Sequence, residues 1–357
     1  MAQECGILSR PFITVIIQAF KRKEFIENAI RSVLNQTLDK QKYEILVIKA
    51  FRDQKIDALI KRYKIKSVYN PSKKEGIRLI SALNRVRGQI IAFLDDDDEF
   101  EVDKLKFVYK YFKENPNLSF YHNLFNIIDE NSKKVTNIND YNLNYYSINM
   151  INKSNLSDAI HKLHILTNSS SIAIKKNVLI KNIKELKKIG VALDAFILLV
   201  ALLDKGEILT DKKTLTRYRI HGLGQVTHGR LDTFNNFCLT EAELTKKAYT
   251  ETKILYKIAK STQLEVMYKI NLIETKMYYN LFNTKSKKYY SLTMRDYALF
   301  LSSKHFSKSS ISLVLQTIIS RLFKVTILKL IYIHAIKQSR FAIDKVIWYV
   351  YWCPLSQ

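Results

Sequence analysis

The chain has 357 residues, 47% of them hydrophobic, with only 8 Gly and 4 Pro; this excludes a disordered or low-complexity protein and allows one large domain with an appendage. Its 58 Lys and Arg against 33 Asp and Glu give a formal net charge of +25, which calls for an anionic partner such as nucleotide phosphate, nucleic acid or anionic lipid. Cys5, Cys238 and Cys353 stand far apart in no metal-ligand spacing, and the opening "MAQECGILSR" has no apolar run, so free thiols in a cytoplasmic protein without a signal peptide are expected.

The run "FITVII" (12–17) is continuously apolar and β-branched, the pattern of a strand covered on both faces. "EFIENAIRSVLNQ" (24–36) reads as an amphipathic helix with Phe25, Ile26, Ala29, Ile30, Val33 and Leu34 on one side. "YEILVI" (43–48) is a second strand, "QKIDALIKRY" (54–63) a second helix, "KSVYN" (66–70) a short third strand and residues 76–87 a third helix. The fourth strand, "QIIAFL" (89–94), runs into aspartates. Strands alternating with helices imply βαβ units and a parallel sheet.

The order then changes. A helix over 101–113 stops before Asn115 and Pro116, "LSFYHNLFNIID" (118–129) is one long strand or two short ones, "ENSKK" (130–134) a turn, and the Asn-rich stretch 137–155 a loop. "SSSIAI" (169–174) is strand-like, helices follow at 177–188 and 193–204, and "TLTRYRIHG" (214–222) is a last strand with a basic, His-containing tip. From residue 235 onward the pattern is helical, with 19 Lys and Arg against 7 Asp and Glu. Arg321, Lys324 and Lys329 interrupt "SLVLQTIISRLFKVTILKLIYIHAI" (312–336) before it reaches the roughly 18 uncharged apolar residues of a spanning helix. Thr317, Ser320, Arg321 and Lys324 share one helical face, leaving Leu315, Ile318, Ile319, Leu322 and Val325 for the others. Together with the aromatic ending "VIWYVYW" (346–352), this fits a helix lying in an anionic membrane interface; a helical bundle covering the sheet fits equally well.

Four consecutive aspartates, Asp95 to Asp98, end the fourth strand. A buried strand that stops at a carboxylate cluster presents several hard oxygen ligands at the carboxyl edge of a sheet, where ligands of open α/β sheets settle. Mg²⁺ or Mn²⁺ takes one or two carboxylates and fills its remaining positions with water and phosphate oxygens. A solvated acidic turn is the bland alternative.

In this order and spacing, "PFITVIIQAFKRKEFIENAIRSVLNQ", "YEILVI", "RGQIIAFLDDDDEF", "FYHNLFNIIDENSK", "NSSSIAIKKNVL", the helix around Asp194 and "YRIHG" resemble the GT-A domain of the family 2 inverting glycosyltransferases, over about residues 11–224. The resemblance implies an α/β fold, a Rossmann-like mixed sheet flanked by helices, in a domain of residues 1–230 followed by a mainly helical, basic region 231–357. It implies Mg²⁺- or Mn²⁺-dependent transfer of a sugar, of hexosyl type, from a nucleotide-sugar donor to a hydroxyl of a glycan, glycolipid or polyprenyl-linked acceptor. The expected location is the cytoplasm; the basic, partly apolar C-terminus would bring the enzyme to the inner face of the plasma membrane as a peripheral protein.

Carried over residue by residue, the family's Asp-x-Asp falls on Asp95, toward the donor ribose, and Asp97, the metal ligand; with four aspartates in a row, Asp96 and Asp98 remain candidates. Ala19 and Phe20 at the end of the first strand and Lys49 at the end of the second fall on the donor side. The general base falls on Asp194, the only carboxylate between Glu185 and Asp204; Glu99 is too close to the metal motif in sequence to rival it. His221 stands where the family places a histidine near metal and diphosphate, and Arg217 and Arg219, on one strand face, could grip phosphate. Residues 168–171, "NSSS", match the acceptor side, and His122 is either a site residue or a core one.

Two departures stand out. The family's second strand runs into an acidic sequence that reads the nucleobase, where this chain has Lys49 and Ala50; Asp53 is the nearest substitute. Leu193 replaces the first member of an acidic pair at the base, and Gln18 replaces a common Pro. They prompt a competing reading as a non-catalytic GT-A-like binding domain. A nucleic-acid binding protein, suggested by the charge and 21 Tyr, finds no recognition module, and an acidic strand edge would repel phosphate, so no nucleic-acid partner is expected.

Overall fold

The computed structural model describes residues 10–20, 22–136, 168–221, 233–283, 290–302 and 308–339. The loop expected at 137–155, Gly222, Cys5, Cys353 and the aromatic ending 346–352 lie outside the described residues. The chain divides into two compact units, the first ending at Ile220 and the second beginning at His221.

The first unit is built on a mixed sheet of nine strands: β1 (Ile13–Ala19), β2 (Tyr43–Lys49), β3 (Lys66–Tyr69), β4 (Ile90–Asp95), β5 (Glu99–Phe100), β6 (Leu118–Ile128), β7 (Lys134–Thr136), β8 (Ile172–Lys175) and β9 (Glu207–Arg219). Their order is β3-β2-β1-β4-β8-β6-β9-β5, with β7 on β6. β3, β2, β1 and β4 run parallel, β8 is antiparallel to β4 and β6, β9 runs parallel to β6, and β5 is antiparallel to β9. Because β1, β2 and β4 point the same way and pair Gln18 with Asp95 and Ala19 with Lys49, Phe20, Lys49 and Asp95 meet at one carboxyl edge.

Helices α1 (Ile26–Leu34), α2 (Gln54–Arg62), α3 (Glu75–Leu83) and α4 (Lys104–Glu114) follow β1, β2, β3 and β5. The apolar stripe read from the sequence is buried: Ile26, Ala29, Ile30 and Val33 of α1 pack with Val15 and Ile17 in the first unit's core. The helix expected over 177–188 is two short ones, α5 (Lys176–Lys181) and α6 (Ile183–Leu186), because Asn182 leaves helical geometry and its amide donates to Val178 O at 2.8 Å. α7 (Leu193–Leu203) is apolar all round and accordingly buried.

Three further differences bear on the site. Residues 169–171 form a 3-10 turn and β8 begins only at Ile172. β5, two residues long, is too short to carry a periodicity, and β9 reaches back to Glu207 through irregular pairing with β6 that hides its alternation. Gly76 lets α3 approach the turn after α6: a Cβ there would stand 1.8 Å from Leu186 O. Through that approach Glu75 N donates to Gly190 O at 2.8 Å and Gly76 N to Ile189 O at 3.2 Å.

The second unit is helical: α8 (Phe234–Ala259), α9 (Glu265–Phe282), α10 (Met294–Leu301) and α11 (Lys308–Ser339). Phe237, Met277, Leu281, Phe282, Leu313 and Leu328 form its core. Helical geometry in α11 breaks once, at Phe323. Among the described residues no helix is long and apolar enough to cross a membrane.

Candidate active site

β4 delivers Asp95 to the carboxyl edge, and Asp96 to Asp98 turn the chain back into β5. One carboxylate oxygen each of Asp95, Asp97 and Asp98 lies within 4.8 Å of the others. Asp96 faces elsewhere: Phe20 N donates to its Oδ2 at 3.2 Å and Arg22 pairs with its Oδ1 at 2.7 Å. Asp95 is fixed from both sides, its amide donating to Ser170 Oγ at 3.0 Å and its Oδ2 accepting from Ser169 Oγ at 2.6 Å. Asp98 Oδ1 accepts from Arg219 N at 2.9 Å, whereas its Oδ2 is buried without a hydrogen-bond partner. Three hard oxygens this close, one of them otherwise unsatisfied, fit a Mg²⁺ or Mn²⁺ ion held by Asp95, Asp97 and Asp98.

Burial and mutual repulsion leave these carboxyls reluctant to ionise. Asp98 is pushed well above its ordinary value by burial and by Asp97 and Asp95; Asp96 rises to about 7, burial and the neighbouring aspartates outweighing Arg22. Asp95 rises for the same reasons, with the Ser169 hydroxyl and Arg22 opposing.

Three cations answer the cluster. Arg22, from the loop after β1, forks across Asp96 and Asp97; the aspartates hold its proton more firmly although burial works the other way. Lys104, the first residue of α4, is fully buried, donates to Ser170 O and to Thr216 Oγ1 at 2.8 Å, and is depressed well below its ordinary pKa by burial, Asp98 opposing. Arg219 places Nε on Asp97 O at 2.7 Å, Nη1 on Asp129 O at 2.6 Å and Glu130 O at 3.1 Å, and Nη2 on Glu99 and on Ser132 Oγ at 2.9 Å. Arg219 could grip donor phosphate on the sequence reading; in the fold its N–H donors are spent on Asp97 and Glu99 of the aspartate turn and on residues 129–132 of the turn between β6 and β7. Arg217 shares its face as expected, but pairs with Glu99 Oε2 at 2.8 Å. Glu99, set aside as a base, is the anchor for both arginines.

Asp194 opens α7, where Ala195 N donates to its Oδ1 at 2.7 Å. Burial pushes it up to about 7; that amide opposes the rise and the charge of Asp95 adds to it. Glu75 feels the charge of both: it is raised to about 8 by burial first, then by Asp95, with Arg78 opposing and Asp194 adding. Glu75 Oε2 also accepts from Leu193 N at 3.4 Å, tying α3 to α7. Arg78 lies over the Phe20 ring at 4.4 Å and donates to Ser72 O at 2.9 Å.

The edge thus gathers Asp95 to Asp98, Ser169, Ser170, Phe20 and, within electrostatic reach, Asp194. Ala19 is buried, offering backbone only; its carbonyl accepts from Ala50 N at 2.9 Å. Lys49 is buried at the end of β2, pairs with Asp57 of α2, and is lowered by burial, Asp53 opposing. Asp53 caps α2, accepting from Lys55 N and Ile56 N, and pairs with Lys23 at 3.1 Å. His122 is buried on β6 beside Ile172. His221 is buried and is the first residue of the second unit.

Sequence reasoning missed Arg22, Glu75 and Lys104. A signal existed for two of them. Arg22 belongs to the basic run "KRK" at the same sheet edge as the aspartates, and Lys104 shares the α4 face of Leu105, Val108 and Phe112, where a cation breaks the apolar pattern. Glu75, in the first turn of a helix, looks like any dipole-stabilising acid.

Residues 14–174 match the family model of glycosyl transferase family 2. An uncharacterized glycosyltransferase of Rickettsia bellii is 36% identical over 137 residues, 37% of this chain and 19% of that protein. The poly(ribitol-phosphate) beta-N-acetylglucosaminyltransferase TarP of Staphylococcus aureus is 30% identical over 109 residues, 29% of this chain and 33% of TarP. The matched stretch therefore spans only about a fifth to a third of these relatives. A crystal structure of S. aureus TarS 1-349 in complex with UDP superposes with a TM-score of 0.50 at 13% identity, covering 86% of this chain and 88% of that one, a likeness of fold. On the aspartate-ended fourth strand, the mixed sheet and these matches, the chain carries a family 2 glycosyltransferase domain of GT-A fold.

Proposed function

We propose that this chain is an inverting glycosyltransferase that moves a hexosyl group from a nucleotide diphosphate sugar to a hydroxyl of a glycan or lipid-linked acceptor. The observation that carries the reading is the convergence of Asp95, Asp97 and Asp98 oxygens at the carboxyl edge, with Asp194 within reach of the same charge. In this reading residues 1–230 form the transferase domain and residues 231–357 a helical, basic region.

Asp97 with Asp95 and Asp98 would hold the divalent metal, which would supply positive charge where the departing diphosphate develops its negative charge. Arg22 sits beside the same oxygens and adds a second positive group there. Ser169 and Ser170 hold Asp95 in place. His221 is assigned to the metal and diphosphate on its position in the family pattern alone. Asp194 takes the proton from the acceptor hydroxyl; the acceptor oxygen bonds to the anomeric carbon as the bond from that carbon to phosphate breaks, inverting the configuration. A base with a pKa of about 7 is matched to that task, half ionised near neutrality and still basic enough to accept a proton. Lys49 removes the acidic base-reading position, so the donor nucleotide follows from binding and not from that position.

The test is a thermal-shift and calorimetric screen of UDP-, GDP- and dTDP-sugars with and without Mn²⁺, on wild type and Asp97→Asn. Metal-dependent binding of one nucleotide that the variant loses is the expected result. A wild type that binds none of them would overturn the reading in favour of a non-catalytic domain.

A further inference from the structure

α11 carries apolar residues on both of its sides, one set turned into the second unit's core and one turned outward. Thr317 and Ser320 are buried against the second unit, and Lys324 donates to Asn280 O at 3.0 Å and to Asn283 O. Leu313, Val314, Leu328 and Ile331 share that inward side. On the outward side Leu315, Ile318, Phe323, Val325, Leu330 and Ile333 are 49–60% exposed. The break at Phe323 divides the row into Leu315 and Ile318 before it and Val325, Leu330 and Ile333 after it, together more than a scatter of single surface apolar residues.

We propose that the outward face of α11 lies on the surface of an anionic lipid bilayer. By sequence the helix has Lys308, Arg321, Lys324, Lys329 and Lys337 and no Asp or Glu; Lys324 is turned inward, Lys329 is exposed, and the whole chain carries +25. An apolar row on a helix that is exclusively cationic complements acyl chains beneath anionic headgroups. A second copy of the chain would bring the same positive charge against itself, which opposes burial of this face between copies. The helix lies in the interface plane, since it is not apolar enough to span. The inference stands apart from the transferase reading.

The experiment is co-sedimentation of the full chain with vesicles of phosphatidylcholine alone or with a quarter phosphatidylglycerol, with sedimentation velocity in parallel. Ile318→Glu with Val325→Glu places two charges on the exposed face without entering the core. Lys61→Glu, exposed on α2, makes the same change in net charge elsewhere. Wild type is expected to prefer the anionic vesicles, the double variant to lose at least tenfold in partitioning, and Lys61→Glu to lose no more than about fivefold. Equal binding by wild type and the double variant would overturn the proposal, as would a wild type that ignores vesicles and instead forms a dimer that the double variant dissolves.

Discussion

Asp194→Asn should slow turnover and at the same time make the protein more stable, two effects of opposite sign from one carboxylate. Burial lifts the acid from its ordinary 3.8 to about 7 in the folded chain. Between those values the folded protein keeps a proton that the unfolded chain has released, so stability is highest below pH 4, falls as pH rises to 7, and is flat above. The drop is roughly 2–4 kcal/mol, the upper figure being the full shift at 1.36 kcal/mol per unit and the lower allowing for the solvent that reaches Asp194. Asparagine keeps the shape and cannot ionise, so the variant should melt several degrees above wild type at pH 8, by a smaller margin at pH 5, and level with it only below about pH 4, in EDTA. Turnover, followed as nucleotide release, should fall by about 10² to 10⁴ with donor affinity nearly unchanged, and the rise of wild-type kcat/KM through pH 7 should disappear. A variant that keeps more than a tenth of the turnover would show that another group takes the proton. A melting difference that does not grow between pH 5 and pH 8 would show that the carboxylate is not held in the disfavoured state inferred from its burial.

Gly76→Ala should cost about 1–3 kcal/mol, seen as a lower urea midpoint, because the new methyl meets backbone, Leu186 O at 1.8 Å, and no side chain can swing away; unchanged stability would mean that the turn after α6 shifts freely. Arg22→Ala should lower the melting temperature of the metal-free protein, by about 1–3 kcal/mol given that Arg22 is 21% exposed and Asp96 1%, and should tighten Mn²⁺ binding by removing a competing cation. Calorimetry showing weaker Mn²⁺ binding would make Arg22 a partner of the metal and not its rival. Because Asp95 and Asp98 are pushed up in the metal-free protein, Mn²⁺ binding should release protons and strengthen from pH 5.5 to 8; titrations giving equal heats in buffers of different ionisation enthalpy would refute this.

What could be read from the residues alone followed from how local the signal was. β1, β2 and β4 are continuous apolar runs and α1 carries its stripe in nine residues, so the parallel half of the sheet and its aspartate edge were legible. β5 and the early part of β9 were not, since their pairing depends on partners more than 100 positions apart, Glu99 with Arg217 and Phe100 with Thr216. The same distance decided the site. Arg219 reads as a phosphate grip from its place on a basic strand tip; the fold brings Asp97, Glu99, Asp129, Glu130 and Ser132 around it and spends every donor. For α11 the polar face read from the residues turns inward at Thr317, Ser320 and Lys324, a direction no local pattern gives, since the carbonyls that accept from Lys324 belong to Asn280 and Asn283, about 40 positions away.

The three cations at the aspartate cluster differ in whether they can leave. Lys104 is fully buried, and Arg219 is locked by five hydrogen bonds; moving either would strand carbonyls in the core, so both side chains stay where they are, but burial works against the charge of Lys104 and only the guanidinium of Arg219 is a fixed charge of the edge. Arg22 stands on a loop with 21% of its side chain in solvent and makes its ion pairs with Asp96 and Asp97, so it is the cation of the three best placed to move. Four adjacent acids then exceed the fixed positive charge, and burial together with mutual repulsion raises Asp95, Asp96 and Asp98 toward their protonated forms. A divalent ion would displace those protons and loosen Arg22 together, which would release the guanidinium when a diphosphate arrives beside it. The strain at this edge is therefore what makes the site responsive: replacing the excess acids with neutral residues would stabilise the sheet and remove the reason for a cation to bind.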